Sequence, residues 1–275
     1  MADRGLVGSF RREMLSDPLA AAASSPGKVL VAGGYLILER PHAGAVVATD
    51  ARFRSLVRLS PRPRDAPAAG APSTLLVEVH SPQFREYRRY LFGWDPSPTL
   101  QPLPRRHAPA APPNRYVENA LLYSLSLVRE RLGEGFLEAT LAATKEAGWH
   151  APASPALQVV IAADNPFYSQ TAELHARGWP VCAASLRKLP PMLPPREEDG
   201  KGGVAKTGLG SSATLVTSLS AAILHRFGVV QARPMSLGGG WRVVEGECNV
   251  EVGGEGKRVR RGETTWVDEA SGGRQ

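Results

Sequence analysis

Two glycines, two serines and a lysine fall together in Lys206-Thr-Gly-Leu-Gly-Ser-Ser-Ala213, just ahead of an apolar, helix-patterned run from Leu215 to Phe227. Bare glycines let a backbone approach an anion closely. A helix that begins here offers unpaired N–H groups and the positive end of its dipole to phosphate oxygens. The hydroxyls of Ser211 and Ser212 can add hydrogen bonds or an oxygen ligand for a hard cation. The chemistry predicted is phosphate binding.

Other glycine-loop chemistries fit less well. Walker A loops need a Gly-Lys-Ser/Thr triplet, which occurs nowhere in the chain. Gly208 to Ala213 does satisfy G-x-G-x-x-A, the dinucleotide fingerprint. That fingerprint needs a strand directly before it and an acid about 20 residues later. Here a proline-rich stretch precedes, and the first acid after Gly210 is Glu245. A nucleophile elbow, G-x-S-x-G, would lack its second glycine.

The elements that must position this loop can be read from periodicity. Residues 28–32 and 35–38 are short apolar runs separated by Gly33-Gly34, read as a strand, a tight passage, then a strand or a helical turn. Residues 44–49, 55–60, 74–80 and 156–163 read as further strands, the last continuously apolar and buried. Val117, Leu121, Leu125, Val128 and Leu132 make one stripe of a helix over 116–132, with Asn114 as N-cap and Gly133 as stop. The helix after the glycine loop carries its stripe on Val216, Ser220, Ile223, Leu224 and Phe227, and ends at Gly228. Residues 61–73, 95–113 and 188–203 read as proline-rich loops. Residues 231–275 contain ten glycines and no sustained periodicity, the composition of a disordered tail.

A chain of 275 residues holds ample core for one large domain or two small ones. The net charge is +7, and from Arg52 to Arg115 there are eleven arginines, no lysine and only four acids. Such a cluster suits anionic ligands, nucleic acid or a membrane surface, and equally a solvated loop surface. No nucleic-acid motif accompanies it. Cys182 and Cys248 lie far apart, and no two histidines are spaced as metal ligands, so neither a disulfide framework nor a zinc site is predicted. No apolar run reaches a membrane span. Asp3, Glu13 and Asp17 among the first residues argue against a transit peptide, and a cytoplasmic protein is expected.

A longer pattern joins these pieces. Gly208-Leu-Gly-Ser-Ser-Ala213 resembles the second motif of the GHMP small-molecule kinases, and Ser25-Pro-Gly-Lys-Val-Leu-Val-Ala-Gly-Gly-Tyr-Leu-Ile-Leu-Glu39 resembles their first. Gly33-Gly34-Tyr35, Ala163-Asp-Asn-Pro-Phe-Tyr-Ser169 and Lys206 to Ala213 are similar to the plant-type phosphomevalonate kinase family within that group. The resemblance runs from about residue 24 to residue 230.

The resemblance implies an α+β fold, with the GHMP N-terminal domain at 24–230 built as a mixed β-sheet with helices on one face. Residues 1–23 would be a flexible extension. It implies ATP and Mg2+ as cofactors, with small-molecule substrates and no membrane partner. The reaction would convert 5-phosphomevalonate to 5-diphosphomevalonate. Lys206, Gly208, Leu209, Gly210 and Ser211 would bind ATP, and Ser212 would bind both ATP and Mg2+. Lys28 would be catalytic and Tyr35 would line the substrate pocket. Each has a plainer structural counterpart. Lys28 fits a solvated strand edge, Ser211 and Ser212 fit helix caps, Tyr35 fits a core and Asn165 to Tyr168 fit a turn. Mevalonate kinase remains an alternative, as does a non-catalytic nucleotide- or nucleic-acid-binding protein.

The pattern also departs from the family. No Asp or Glu occurs between Ala213 and Glu245, where such kinases place a catalytic aspartate. A third glycine-rich motif, from a C-terminal ferredoxin-like domain, has no counterpart in 231–275. The expectation is a truncated kinase with little activity by itself. Some plant relatives are peroxisomal, which leaves that compartment open, although Gly-Gly-Arg-Gln275 does not match the Ser-Lys-Leu signal.

Overall fold

Long apolar strands of period two, and two amphipathic helices, dictate a layered arrangement. A computed structural model of the chain describes residues 20–60, 74–93, 101–102, 113–133, 156–196 and 204–230. Six strands form one mixed sheet in the order β1-β2-β6-β3-β4-β5. They are β1 (Ala20–Ala32), β2 (Ala45–Ser60), β3 (Thr74–Ser81), β4 (Glu86–Gly93), β5 (Gln101–Pro102) and β6 (Ala156–Ala163). All neighbours are antiparallel except β3 and β6, which run parallel with Val77 beside Leu157 and Val79 beside Val159. The architecture is α+β, as the sequence predicts.

Two long helices cover one face. They are α1 (Arg115–Leu132) and, near the other end of the described chain, α4 (Ser211–Arg226). Alternate residues of the strands, such as Phe53 and Val57 of β2 and Val77 and Val79 of β3, share one core with Leu121 and Leu125 of α1 and Leu219 and Ile223 of α4. Burying each such side chain contributes about 1.5–3 kcal/mol. Two short helices, α2 (Thr171–Ala176) and α3 (Ala183–Arg187), sit beside a satellite cluster of Leu174, Leu189 and Leu193.

The helix ends follow their sequence signals. Asn114 caps α1, its Oδ1 accepting from the N–H groups of Tyr116 at 3.1 Å and Val117 at 3.4 Å. Gly228, at φ +71°, closes α4. Its N–H donates to the carbonyl of His225, and that of Val229 to Leu224, the paired bonds of a Schellman motif.

Elsewhere the structure departs from periodicity. The two runs at 44–49 and 55–60 are one 16-residue strand. Residues Gly34–Leu38 form a 3-10 turn, the helical alternative of the sequence reading, and not a strand. Strand β4 carries Glu86, Arg88 and Arg89, so its polar content hides it from an apolar scan. Within 95–113, residues 101–102 pair with Phe92 and Gly93. The buried face of α4 is Thr214, Ser218, Leu219, Ala222 and Ile223, so the stripe is rotated from the one expected and includes two small polar residues. Residues 1–19, 61–73 and 231–275, with the loop and tail expected there and most of the extension, lie outside the described residues, as does Cys248. The last four residues of the expected extension, 20–23, belong instead to β1, where they pair with β2. Among the described residues no helix is long and apolar enough to cross a membrane.

Candidate phosphate-binding site

The glycine loop is held from both sides before α4 begins. Ahead of it, Tyr168 and Lys206 form an antiparallel bridge. The N–H of Ser169 donates to the carbonyl of Ala205 at 2.8 Å, and that of Thr207 to Phe167 at 3.2 Å. The turn Asn165–Phe167 that ends β6 is thus the rail on which the loop runs. That turn is anchored in its own right. Asn165 Nδ2 donates to the carbonyl of Pro190 at 2.7 Å, and its Oδ1 accepts from the N–H of Leu193 at 2.8 Å.

On the other side lies β1. The N–H of Lys28 donates to the carbonyl of Leu209 at 3.0 Å. Gly27 makes this approach possible, because a Cβ there would stand 2.7 Å from Thr49 Oγ1 and 3.2 Å from the Leu209 carbonyl. The loop then turns through Gly208 at φ +83° and Gly210 at φ +71°, conformations that favour glycine. Gly210 is the N-cap of α4 and offers no side-chain cap. The helix begins at Ser211, four residues before the apolar run. Ser211 and Ser212 lie inside its first turn, where N–H groups have no intrahelical acceptor, so neither is the cap residue. Thr214 is buried, and its Oγ1 donates to the Gly210 carbonyl at 2.9 Å, stiffening the corner.

Lys28 and the glycine loop therefore meet, although 180 residues separate them in sequence. A Cβ on Gly210 would lie 3.0 Å from Lys28 Cε and 3.5 Å from its Cγ. The lysine stem crosses the N-cap while the residue remains exposed to solvent. Lys206, Ser211 and Ser212 open instead onto a cavity of about 250 Å³ that also receives Glu86, Arg88 and Tyr168. Arg88 pairs with Glu86 at 2.9 Å. Burial, with a smaller push from Glu86, raises the Tyr168 phenol to about 12. Tyr35 stands apart from that cavity, 92% exposed on the 3-10 turn beyond β1.

Sequence reasoning missed Gly27, Thr214 and Arg88. Gly27 lies within the first quoted motif and Thr214 directly follows the second, but only a close backbone approach reveals their use. The two-residue spacing that puts Arg88 on the same face of β4 as buried Tyr90 and Phe92 carried a signal, masked by the surrounding arginines.

No family model matches the chain. It is 35% identical over 221 residues to the peroxisomal phosphomevalonate kinase of Arabidopsis thaliana, covering 77% of this chain and 40% of that protein. It is 31% identical over 231 residues to phosphomevalonate kinase erg8 of Aspergillus fumigatus, covering 76% and 42%, and 29% identical over 212 residues to phosphomevalonate kinase ERG8 of Gibberella zeae, covering 75% and 40%. A solved structure of a Lin0012 protein from Listeria innocua matches 77% of this chain and 38% of its own at 13% identity. Its TM-score of 0.34 is too low to bear on the fold. By sequence, the chain is a relative of phosphomevalonate kinases over about three quarters of its own length, and it spans about two fifths of theirs.

Proposed function

We propose that this chain carries the ATP-binding part of a phosphomevalonate kinase, an enzyme that transfers a phosphoryl group from ATP to 5-phosphomevalonate. The observation that carries this reading is the seating of Lys28 across Gly210, which brings a cation from the first strand to the start of α4. The similarity to phosphomevalonate kinases supports it. So does the α+β sheet with helices on one face, which we assign to the GHMP N-terminal domain, with boundaries at 24–230. The name of the Arabidopsis relative adds the peroxisome to the cytoplasm as a candidate compartment.

Phosphoryl transfer asks a protein mainly to position two polyanions and to offset the charge that moves between them. An acceptor oxygen of the 5-phosphate bonds to the γ-phosphorus as the bond to the β-phosphate oxygen of ATP breaks, leaving 5-diphosphomevalonate and ADP. In this reading the N–H groups of Gly208, Leu209, Gly210 and Ser211 face the ATP phosphates, helped by the roughly +0.5 charge of the α4 N-terminus. The Lys28 ammonium holds the acceptor phosphate or the group in transfer, and Lys206 is a second cation on the ATP side. By resemblance Tyr35 would line the acceptor pocket, although its ring is solvated in this structure.

The residues present fit Mg2+ only when it arrives with phosphates. Among the described residues no three acids, histidines or cysteines form a metal cluster. The Ser212 hydroxyl, on the first turn beside the cavity, is a suitable hard oxygen ligand, leaving the other positions to phosphate and water. Bound there, Mg2+ would neutralise charge between the β- and γ-phosphates.

The test is calorimetric titration of the 275-residue chain with Mg2+ and a non-hydrolysable ATP analogue. Binding weakened at least tenfold by Lys28→Ala is expected, and no binding would sink the reading. Phosphomevalonate and mevalonate are then compared as acceptors by ADP release, with low turnover expected for this chain alone. Preference for mevalonate would favour mevalonate kinase. Salt-sensitive nucleic-acid binding without nucleotide binding would favour a non-catalytic basic protein.

A further inference from the structure

A second cavity, of about 590 Å³, lies across the Tyr168–Lys206 bridge from the first. Lys206 lines the first and Thr207 the second, as successive residues of extended backbone point to opposite sides. Tyr168 stands between them and touches both. Buried Leu174 and Leu189 floor the second cavity. Its mouth is formed by Val181, Leu186 and Arg187, all exposed, on and beside α3. Pockets for small ligands run from about 300 to about 1,000 Å³ and are mostly apolar, with a few polar groups that orient the guest.

The polar side chains of its wall already bond within the chain. Asp164 accepts from the N–H of Arg52 at 2.9 Å and pairs with the Arg54 guanidinium. Gln170 Nε2 donates to the carbonyls of Asn165 at 3.3 Å and Tyr168 at 3.2 Å. Thr207 Oγ1 donates to the Pro166 carbonyl at 2.5 Å, and Asn165 is held by Pro190 and Leu193. A polar guest would find these groups taken, whereas an apolar one forfeits no hydrogen bond on them. Arg187 differs. Among the described residues nothing pairs with its guanidinium, whose planar fork matches a carboxylate or a phosphate.

We infer that this cavity binds an amphipathic anion, an apolar chain lying on Leu174, Leu186 and Leu189 with its single carboxylate or phosphate head on Arg187. The chain gains by leaving water for the leucine floor. The head gains a charge-assisted bond at the mouth, where solvent still reaches it. The site is separate from the one proposed for nucleotide, since Lys206, Ser211 and Ser212 open onto the other cavity. It stands or falls independently of kinase activity.

The experiment is calorimetric titration of the full chain with decanoate, decyl phosphate and decanol, each below the concentration at which it self-associates. Both anions should bind, and decanol about tenfold more weakly. Arg187→Gln should bring the anions down to the level of decanol and leave decanol unchanged. Leu186→Trp, which fills the mouth, should weaken all three about tenfold. Both substitutions fall at exposed positions, so the variants should fold, and their affinity for the ATP analogue should stay within twofold. Absence of binding to the wild-type chain overturns the inference. So does binding that Leu186→Trp leaves unchanged, which would lie elsewhere on the surface. Equal affinity for decanoate and decanol would remove the anion from the account and the inference with it. Displacement of decanoate by the ATP analogue would make the cavity part of the nucleotide site and also overturn it. A chain that binds decanoate but no nucleotide would sink the kinase reading and leave this site standing.

Discussion

Lys28 Cε lies where it would meet a Cβ on Gly210 at 3.0 Å, so the first strand and the N-cap of α4 share one small volume. Two causes then constrain residue 210. Its φ of +71° disfavours any L side chain, and the lysine stem occupies the space one would need. At Gly208, with φ +83°, only the first cause operates, because nothing lies within 4 Å of its Cβ direction.

Gly210→Ala and Gly208→Ala should therefore differ. Each should cost about 1–2 kcal/mol of stability from backbone strain. Gly210→Ala should also displace the lysine and weaken nucleotide binding by a further tenfold or so. In a Lys28→Ala background that extra loss should vanish, a coupling that a double-mutant cycle of titrations measures directly. Equal losses for the two glycines in both backgrounds would show that Lys28 does not rest on the N-cap.

Asn165 is the next test, because its side chain holds the segment that holds the loop. Asn165→Ala leaves the Pro190 carbonyl and the Leu193 N–H without their side-chain partner. A loss of about 2–4 kcal/mol is expected, from two groups at about 1–3 kcal/mol each that water partly recovers. Asn165→Asp keeps the acceptor for Leu193 but sets a second oxygen against the Pro190 carbonyl, so it should cost at least as much as Asn165→Ala. Thermal unfolding measures both, and an unchanged melting temperature for Asn165→Ala would remove the anchor from the account.

Much of this was legible in the sequence because local rules and tertiary structure agree. Asn114 and Gly228 cap the helices their types suggest, and the Val117 to Val128 stripe faces the core. The glycine loop was legible because anion binding by backbone needs glycine and a helix start close together. What escaped depends on contacts between distant residues. That Gly27 must be small follows only from Thr49 and the Leu209 carbonyl, far away in the chain. The polar face of α4 escaped because Ser218 is buried against a serine of β2, a pairing no hydrophobic period records. Tyr35 reads as a pocket residue by resemblance, yet its ring is solvated here, since nothing local determines what covers it.

That serine pair yields a stability prediction. Ser55 Oγ and Ser218 Oγ are 2.9 Å apart, both residues wholly buried, and Ser218 also reaches the Leu215 carbonyl at 3.0 Å. Ser218→Ala strands the Ser55 hydroxyl and should cost about 1–3 kcal/mol. Ser55→Ala should cost less, because Ser218 keeps its bond to Leu215. The double variant should cost less than the sum of the two. Urea unfolding decides it, and strict additivity would mean that the hydroxyls do not interact.

The last prediction concerns alkaline pH. Burial comes first in raising both the Tyr168 and Tyr87 phenols to about 12. Glu86 adds to the effect at Tyr168, and a hydrogen bond to Glu78 adds to it at Tyr87, where Arg89 pulls the other way. In the unfolded chain both phenols ionise near 10. The folded state thus holds these protons more tightly than the unfolded state does. Their stabilising contribution is complete below pH 10 and is lost as the pH rises through about 12. At least two of the six tyrosines should ionise late in a phenolate absorbance titration of the folded chain. Tyr168→Phe keeps the edge contact of its ring with Phe84, at 5.2 Å between centroids, so it should fold. It should abolish one late step and flatten the fall in stability between pH 10 and 12. If the variant and the wild type lose stability alike over that range, the Tyr168 proton is not held by the fold.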